Sequence, residues 1–163
     1  MKQLLLLSVI FFAGIGNAQT IQKMEDFSKI KIDTDAQVEI VYSNKSQVIF
    51  NKDSEELNDF TVTSIDNSLV IIQNPKKSVS DLRIRIYTND IKALAVKGSS
   101  RVTLSKFNYQ DKMLVIAKQG ATVDTGDTEI KNLQIIRSND SKVICGNAKK
   151  TTEMVDGLLV TAI

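Results

Sequence analysis

The sequence predicts an all-β protein: a strand-rich N-terminal part leading into a right-handed parallel β-helix, a solenoid with coils of about 20 residues. Three observations carry this. Short runs between Ile30 and Tyr87 alternate apolar with polar residues, the period of strands covered on one face. From Leu94 onward a pattern recurs every 20 or 21 positions. Near residue 90 the composition shifts: no aromatic residue follows Tyr109, whereas glycine, absent between Gly16 and Gly98, then recurs at 120, 126, 146 and 157.

The chain starts with Met1 and Lys2, continues through Leu4 to Leu7 and Val9 to Ala13, and leaves this apolar run through small residues at 16 and 18. A basic start, an apolar stretch short for a bilayer and a small-x-small exit make residues 1–18 a secretory signal peptide. No Cys follows the exit, which excludes a bacterial lipoprotein anchor, and no transmembrane segment is expected after signal removal. Residues 19–163 then form a single β domain, with aromatic-containing strands at 27–90 and solenoid coils at 91–163. The expected location is outside the cytoplasm, in the periplasm, on the outer surface or secreted.

Ile30 to Thr34, Val38 to Tyr42, Phe60 to Val62, Leu69 to Ile72 and Leu82 to Tyr87 read as strands. Asp66 and Asn67 lie between two of them and tolerate the positive φ of a tight hairpin. Ser43 to Lys45 is a second turn, Ser54 to Leu57 is too short for a stable helix, and Pro75 with Lys76 and Lys77 marks a loop.

In the second half, Leu94, Val115, Ile135 and Val155 stand 21, 20 and 20 residues apart. Ser100, Ala121, Ser141 and Thr161 keep that spacing, as do Val102, Val123, Val143 and Ile163. A β-branched column, a small-residue column and turn formers are what stacked coils with parallel pairing require. Gly98, Gly120 and Asn139 supply turn conformations that other residues resist. A narrow interior filled by Val, Ile, Ala and Leu accounts for the loss of rings. The competing architecture is an antiparallel sandwich with recurring strands.

Several segments, in this order, carry a resemblance: Phe27-Ser-Lys-Ile-Lys-Ile-Asp, Val38-Glu-Ile-Val-Tyr, Asn67-Ser-Leu-Val-Ile-Ile, Leu82-Arg-Ile-Arg-Ile-Tyr and Ile91-Lys-Ala-Leu-Ala-Val-Lys-Gly98-Ser-Ser-Arg-Val102. With the signal peptide, they resemble the autotransporter-adhesin head domain, or GIN domain, a β-solenoid family of exported Bacteroidota proteins. The match runs over residues 27–163 and is most specific at Leu94 to Val102. The resemblance implies an envelope or surface protein with an adhesin-like binding or scaffold role and brings no catalytic residues. Comparable members continue with further Gly-Ser or Gly-Ala coils where this chain stops, so an incomplete end cap is expected.

Composition removes several functions. Twenty-one basic and nineteen acidic residues, interleaved along the chain, leave +2 and no nucleic-acid footprint. The absence of His removes His-dependent triads and the usual zinc sites. No cofactor motif occurs, and Lys76 and Lys77 are too few for a membrane patch. Cys145, the sole cysteine, reads as a small buried residue of a strand; a reactive or intermolecular thiol is the other reading.

The binding candidates are Arg101, Thr122 and Lys142, which form a column one step before the valine column and should point outward together. No metal site is expected: Asp124, Asp127 and Glu129 around Gly126 are the residues that come nearest, and they lack the full pattern of a calcium loop. A polysaccharide lyase built on Arg83, Arg85, Arg101, Lys118, Arg137 or Lys142 is the enzymatic alternative, and a purely structural envelope module is the third. The expected partners are a glycan or an envelope or surface protein. Leu158, Leu159, Val160 and Ile163 point to self-association through the C-terminal coil.

Overall fold

The computed structural model describes residues 19–74 and 81–162. The signal segment, the Pro75 loop with Lys76 and Lys77, and Ile163 lie outside the described residues. Among the described residues there is no helix, and fifteen strands form two mixed sheets.

The strands of the first half are β1 (Thr20–Lys23), β2 (Lys29–Asp33), β3 (Gln37–Tyr42), β4 (Gln47–Phe50), β5 (Phe60–Ile65), β6 (Ser68–Gln73) and β7 (Arg83–Thr88). Those of the second are β8 (Ala93–Lys97), β9 (Arg101–Ser105), β10 (Tyr109–Ala117), β11 (Thr122–Asp124), β12 (Glu129–Arg137), β13 (Lys142–Ile144), β14 (Ala148–Val155) and β15 (Leu158–Ala162). One sheet has the order β1-β4-β7-β3-β9-β11-β13, the other β15-β14-β12-β10-β8-β2-β6-β5. From β8 to β14 the chain alternates between the sheets, so every strand meets its repeat-mate in parallel.

The repeat expected from the sequence fixes this register. Val115 lies opposite Leu94 and Ile135, and Val123 lies opposite Val102 and Val143. Alternation turns these residues inward, where Leu94, Val102, Val115 and Val123 are fully buried. One apolar cluster joins residues from both sheets and both halves, from Phe27 to Ile135. Each large aliphatic side chain so buried contributes about 1.5–3 kcal/mol, offsetting the entropy of ordering the strands.

The first half is not a separate lead-in to the repeats. β2 lies between β6 and β8, and β3 lies between β7 and β9, all in parallel. Ile32 thus meets both Ile71 and Val96, and Val38 meets both Ile84 and Val102. The same alternating pattern serves the same core, so nothing in it marks a boundary at residue 90. The outer edges on this side are antiparallel: β4 on β7, β1 on β4, and β5 on β6. The β5–β6 hairpin turns at Asp66 and Asn67 with φ of 50° and 61°, as their residue types predict.

The fourth repeat departs from the expected columns. Ile135 pairs with Glu153 and Arg137 with Val155, a spacing of 18, so Val155 does not continue the Leu94 column. β15 then folds back antiparallel on β14, setting Thr161 opposite Glu153 and outside the small-residue column. The physical reason is visible in the inward columns. Leu94, Val115 and Ile135 are followed by Glu153, and Val96 and Ala117 by Arg137. Arg137 Nε donates to Glu153 Oε1 at 2.6 Å, and Arg137 also donates to Ser141 O at 3.0 Å. An ion pair exposed by about a fifth therefore ends the apolar interior. The pair covers only part of this end, and Leu158, Leu159 and Val160 remain exposed. Asn139, expected at a left-handed turn, does not adopt positive φ; Gln119 and Gly120 do, at 60° and 83°.

The Gly98-Ser-Ser segment has a specific task. Gly98 adopts φ +75°, and a Cβ there would sit 2.5 Å from Thr34 O. Ser100, fully buried, donates to Thr34 O at 2.5 Å and lies 2.8 Å from Thr34 Oγ1. A side-chain-free turn followed by a small hydroxyl thus lets two turns of backbone close against each other.

Candidate functional site

Alternation on the seven-stranded sheet turns a polar row outward across the strands. Arg83, Gln37, Arg101, Thr122 and Lys142 are successive register partners on β7, β3, β9, β11 and β13. All are exposed except Thr122, which is half-buried. The three residues singled out from the sequence are therefore brought together, and the row extends beyond them to Gln37 and Arg83. With neighbouring strands about 4.8 Å apart, Arg83 and Arg101 stand roughly 10 Å apart along the row, as do Arg101 and Lys142.

The next outward row differs in its electrostatics. Arg85, Glu39, Thr103 and Asp124 are register partners there. Arg85 Nε donates to Glu39 Oε2 at 2.8 Å, and Ser105 Oγ donates to Glu39 Oε1 at 2.9 Å. Partial burial pushes the Glu39 carboxyl up, but hydrogen bonds from Ser105 and Arg85 and the charges of Arg85 and Lys106 outweigh it and hold the group below its ordinary value. The same contact, first through its hydrogen bond to Glu39, holds Arg85 above the usual guanidinium value. Arg85 is thus satisfied. Among the described residues no side chain hydrogen-bonds or pairs with the guanidinium groups of Arg83 and Arg101, and the Gln37 and Thr103 side chains are likewise free.

These groups line a shallow depression of about 550 Å³ on the face, with Asn51 and Ile49 on the β4 side. Asn51 Oδ1 accepts from Arg83 N at 2.8 Å and Asn51 Nδ2 donates to Asp81 O at 2.9 Å, so that wall is fixed. A second depression, of about 470 Å³, lies on the eight-stranded sheet and includes Lys92, Lys112 and Lys150. Lys92 is paired there with Asp90 at 3.6 Å.

The acidic residues near Gly126 are spread over separate tasks. Asp124 Oδ1 accepts from Gly126 N at 2.9 Å, Glu129 pairs with Lys149 at 2.6 Å, and Asp127 is exposed. Among the described residues no three His, Cys, Asp or Glu side chains gather in a metal-binding group. The cations considered for a lyase also separate: Arg83, Arg85, Arg101 and Lys142 lie on one sheet, Arg137 is in the end pair on the other, and Lys118 follows β10. Cys145 is half-buried and packs against the core. Gln37, Thr103 and Asn51 are not among the residues singled out from the sequence. Gln37 depends on β3 lying between β7 and β9 and Asn51 on β4 pairing with β7, which no spacing encodes, whereas Thr103 stands two residues after Arg101 on β9, where the same alternation points outward.

Among the described residues no helix is long and apolar enough to cross a membrane. Solved structures share the fold. A putative adhesin from Bacteroides fragilis superposes with a TM-score of 0.72 at 18% identity, covering 80% of this chain and 62% of that one. A putative adhesin from Parabacteroides merdae gives 0.69 at 15% identity, covering 80% and 56%. A structure described as a putative lipid binding protein from Parabacteroides distasonis gives 0.67 at 15% identity, covering 88% and 69%. The chain thus spans less than two thirds of the first two structures. No curated protein matches it. The model of the family described as "Putative auto-transporter adhesin, head GIN domain" matches residues 26–157, the span that holds the parallel ladders and the Arg101 row, and the chain belongs to that family.

Proposed function

We propose that this protein is an exported, non-catalytic, adhesin-like binding module whose contact surface is the outward face of the seven-stranded sheet. The observation that carries the reading is the row from Arg83 through Arg101 to Lys142, in which two guanidinium groups are exposed and unpartnered among the described residues. Free cations on a sheet favour an anionic or hydroxyl-rich ligand without any ion pair having to break first. The family and the adhesin structures of the same fold support a surface-binding role. The signal-like residues 1–18 support export, with residues 19–163 as one domain.

Strands that alternate between sheets and pair in parallel 20 or 21 residues on support a right-handed β-helix, since parallel crossovers are right-handed in nearly all proteins. The exposed Leu158, Leu159 and Val160 support self-association at that end. A lyase has less support, because its cations are spread along a face instead of converging with a base.

A glycan and matrix-protein array, probed with the purified protein and with the R101E/K142E variant, tests the reading. Capture of defined ligands that the variant loses is expected. Capture of nothing, or capture untouched by the double substitution, refutes it.

A further inference from the structure

We infer that the depression between β4 and β9 is a subsite for an acidic polysaccharide lying across the strands, its anionic groups held by Arg83 and Arg101. The inference rests on the reading of this sheet face as the binding surface and names the ligand class.

Three features select that class. Of the three arginines in the depression, Arg85 is neutralised by Glu39, while Arg83 and Arg101 have no side-chain partner among the described residues. A guanidinium left open on a rigid strand can take a carboxylate or sulfate through two parallel hydrogen bonds. The second feature is spacing. Two strand separations, roughly 10 Å, lie between Arg83 and Arg101 and again between Arg101 and Lys142. One small anion does not reach two such positions, whereas a chain with regularly recurring charges meets all three. The third is the material between the charges. Gln37 lies directly between the two arginines, and Thr103 stands one outward row along on β9. Their free amide and hydroxyl groups both donate and accept, which suits sugar hydroxyls. The depression is open and shallow, so a polymer can enter and leave it along the row.

The test uses polygalacturonate, dextran sulfate and unsubstituted dextran as probes, with affinity electrophoresis and calorimetry on the purified protein at fixed salt. Binding to an acidic polymer and not to dextran is expected, and the better of the two acidic probes identifies carboxylate or sulfate. The R83Q/R101Q variant should bind about tenfold or more weakly. R83K/R101K should lie between it and the parent, because lysine keeps the charge and loses the paired geometry. K112Q/K150Q removes the same charge from the opposite sheet and should change affinity less than about twofold.

Equal losses in the two glutamine variants would overturn the inference, as would equal binding of dextran or tighter binding of single-stranded DNA. If the array ligands prove neutral glycans or proteins, lost in R101E/K142E but retained in R83Q/R101Q, the subsite fails while the binding face stands. If nothing binds in either experiment, both fail.

Discussion

Replacing Gly98 by alanine isolates the contact that closes the turn after β8 against the turn after β2. Gly98 has φ +75°, where an L side chain costs about 1–2 kcal/mol. The added Cβ would also meet Thr34 O at 2.5 Å and Asp35 Oδ1 at 3.1 Å. Backbone must move, and Thr34 is tied to Ser100 through both its carbonyl and its hydroxyl, while Thr34 Oγ1 also accepts from Ala36 N at 3.2 Å. Losing one or two of these buried hydrogen bonds adds about 1–3 kcal/mol, so the whole change should cost about 2–5 kcal/mol.

Gly120→Ala is the control. It shares the left-handed conformation, with φ +83°, but its Cβ would meet nothing within 4 Å. Only the conformational cost of about 1–2 kcal/mol remains. Urea unfolding at constant m-value measures both. Equal destabilisation by the two substitutions would refute the argument from close approach and leave only backbone handedness.

Three further outcomes follow from the same geometry. Val123→Asp buries a charge between Val102 and Val143 and should cost about 4 kcal/mol or more, whereas Thr122→Asp, on the outward face, should cost under about 1 kcal/mol; urea unfolding decides, and similar costs would show the register wrong. Arg137→Met and Glu153→Leu should each destabilise by about 1–2 kcal/mol while the double variant loses less than their sum, by a coupling near 1 kcal/mol in a double-mutant cycle; additive losses would show that the pair does not cap the interior. The Glu39 carboxyl is held below its ordinary 4.5, so the stability it confers is fully present above that value and is lost as pH falls through the lower folded value. Both partners are about half exposed, which limits the effect to about half a kcal/mol. A pH series of unfolding midpoints should have a flatter acid limb in Glu39→Gln than in the parent.

How much the sequence made legible varies along the chain. The columns through Val102, Val123 and Val143, and through Leu94, Val115 and Ile135, were readable because stacked parallel strands bring identical positions together and select identical residue types. Arg101, Thr122 and Lys142 followed from the same periodicity, one position earlier. Arg83 and Gln37 did not: β7 and β3 reach the row through long connections, and period-2 alternation assigns a face without naming the neighbouring strand. The slipped fourth repeat had a signal that periodicity passed over, namely Arg137 and Glu153 at positions where every earlier repeat carries an aliphatic or alanine side chain. Charge at an interior column marks the place where an interior ends.

The insertion of β2 and β3 between later strands has a kinetic consequence. Ile32 meets partners 39 and 64 residues away, at Ile71 and Val96, whereas between β8 and β14 each strand meets a repeat-mate 18 to 21 residues away. Longer loops cost more entropy to close, and non-local pairings form late. A segment made early is therefore completed late: β2 and β3 can pair with β6 and β7, but the other edge of each stays bare until β8 and β9 have been made and have returned to them. During that interval Ile30, Ile32, Val38 and Ile40 form an unpaired apolar edge, the kind of surface that couples slow folding to aggregation. Mutations that weaken β9 should harm folding yield through this delay even where they cost the finished structure little.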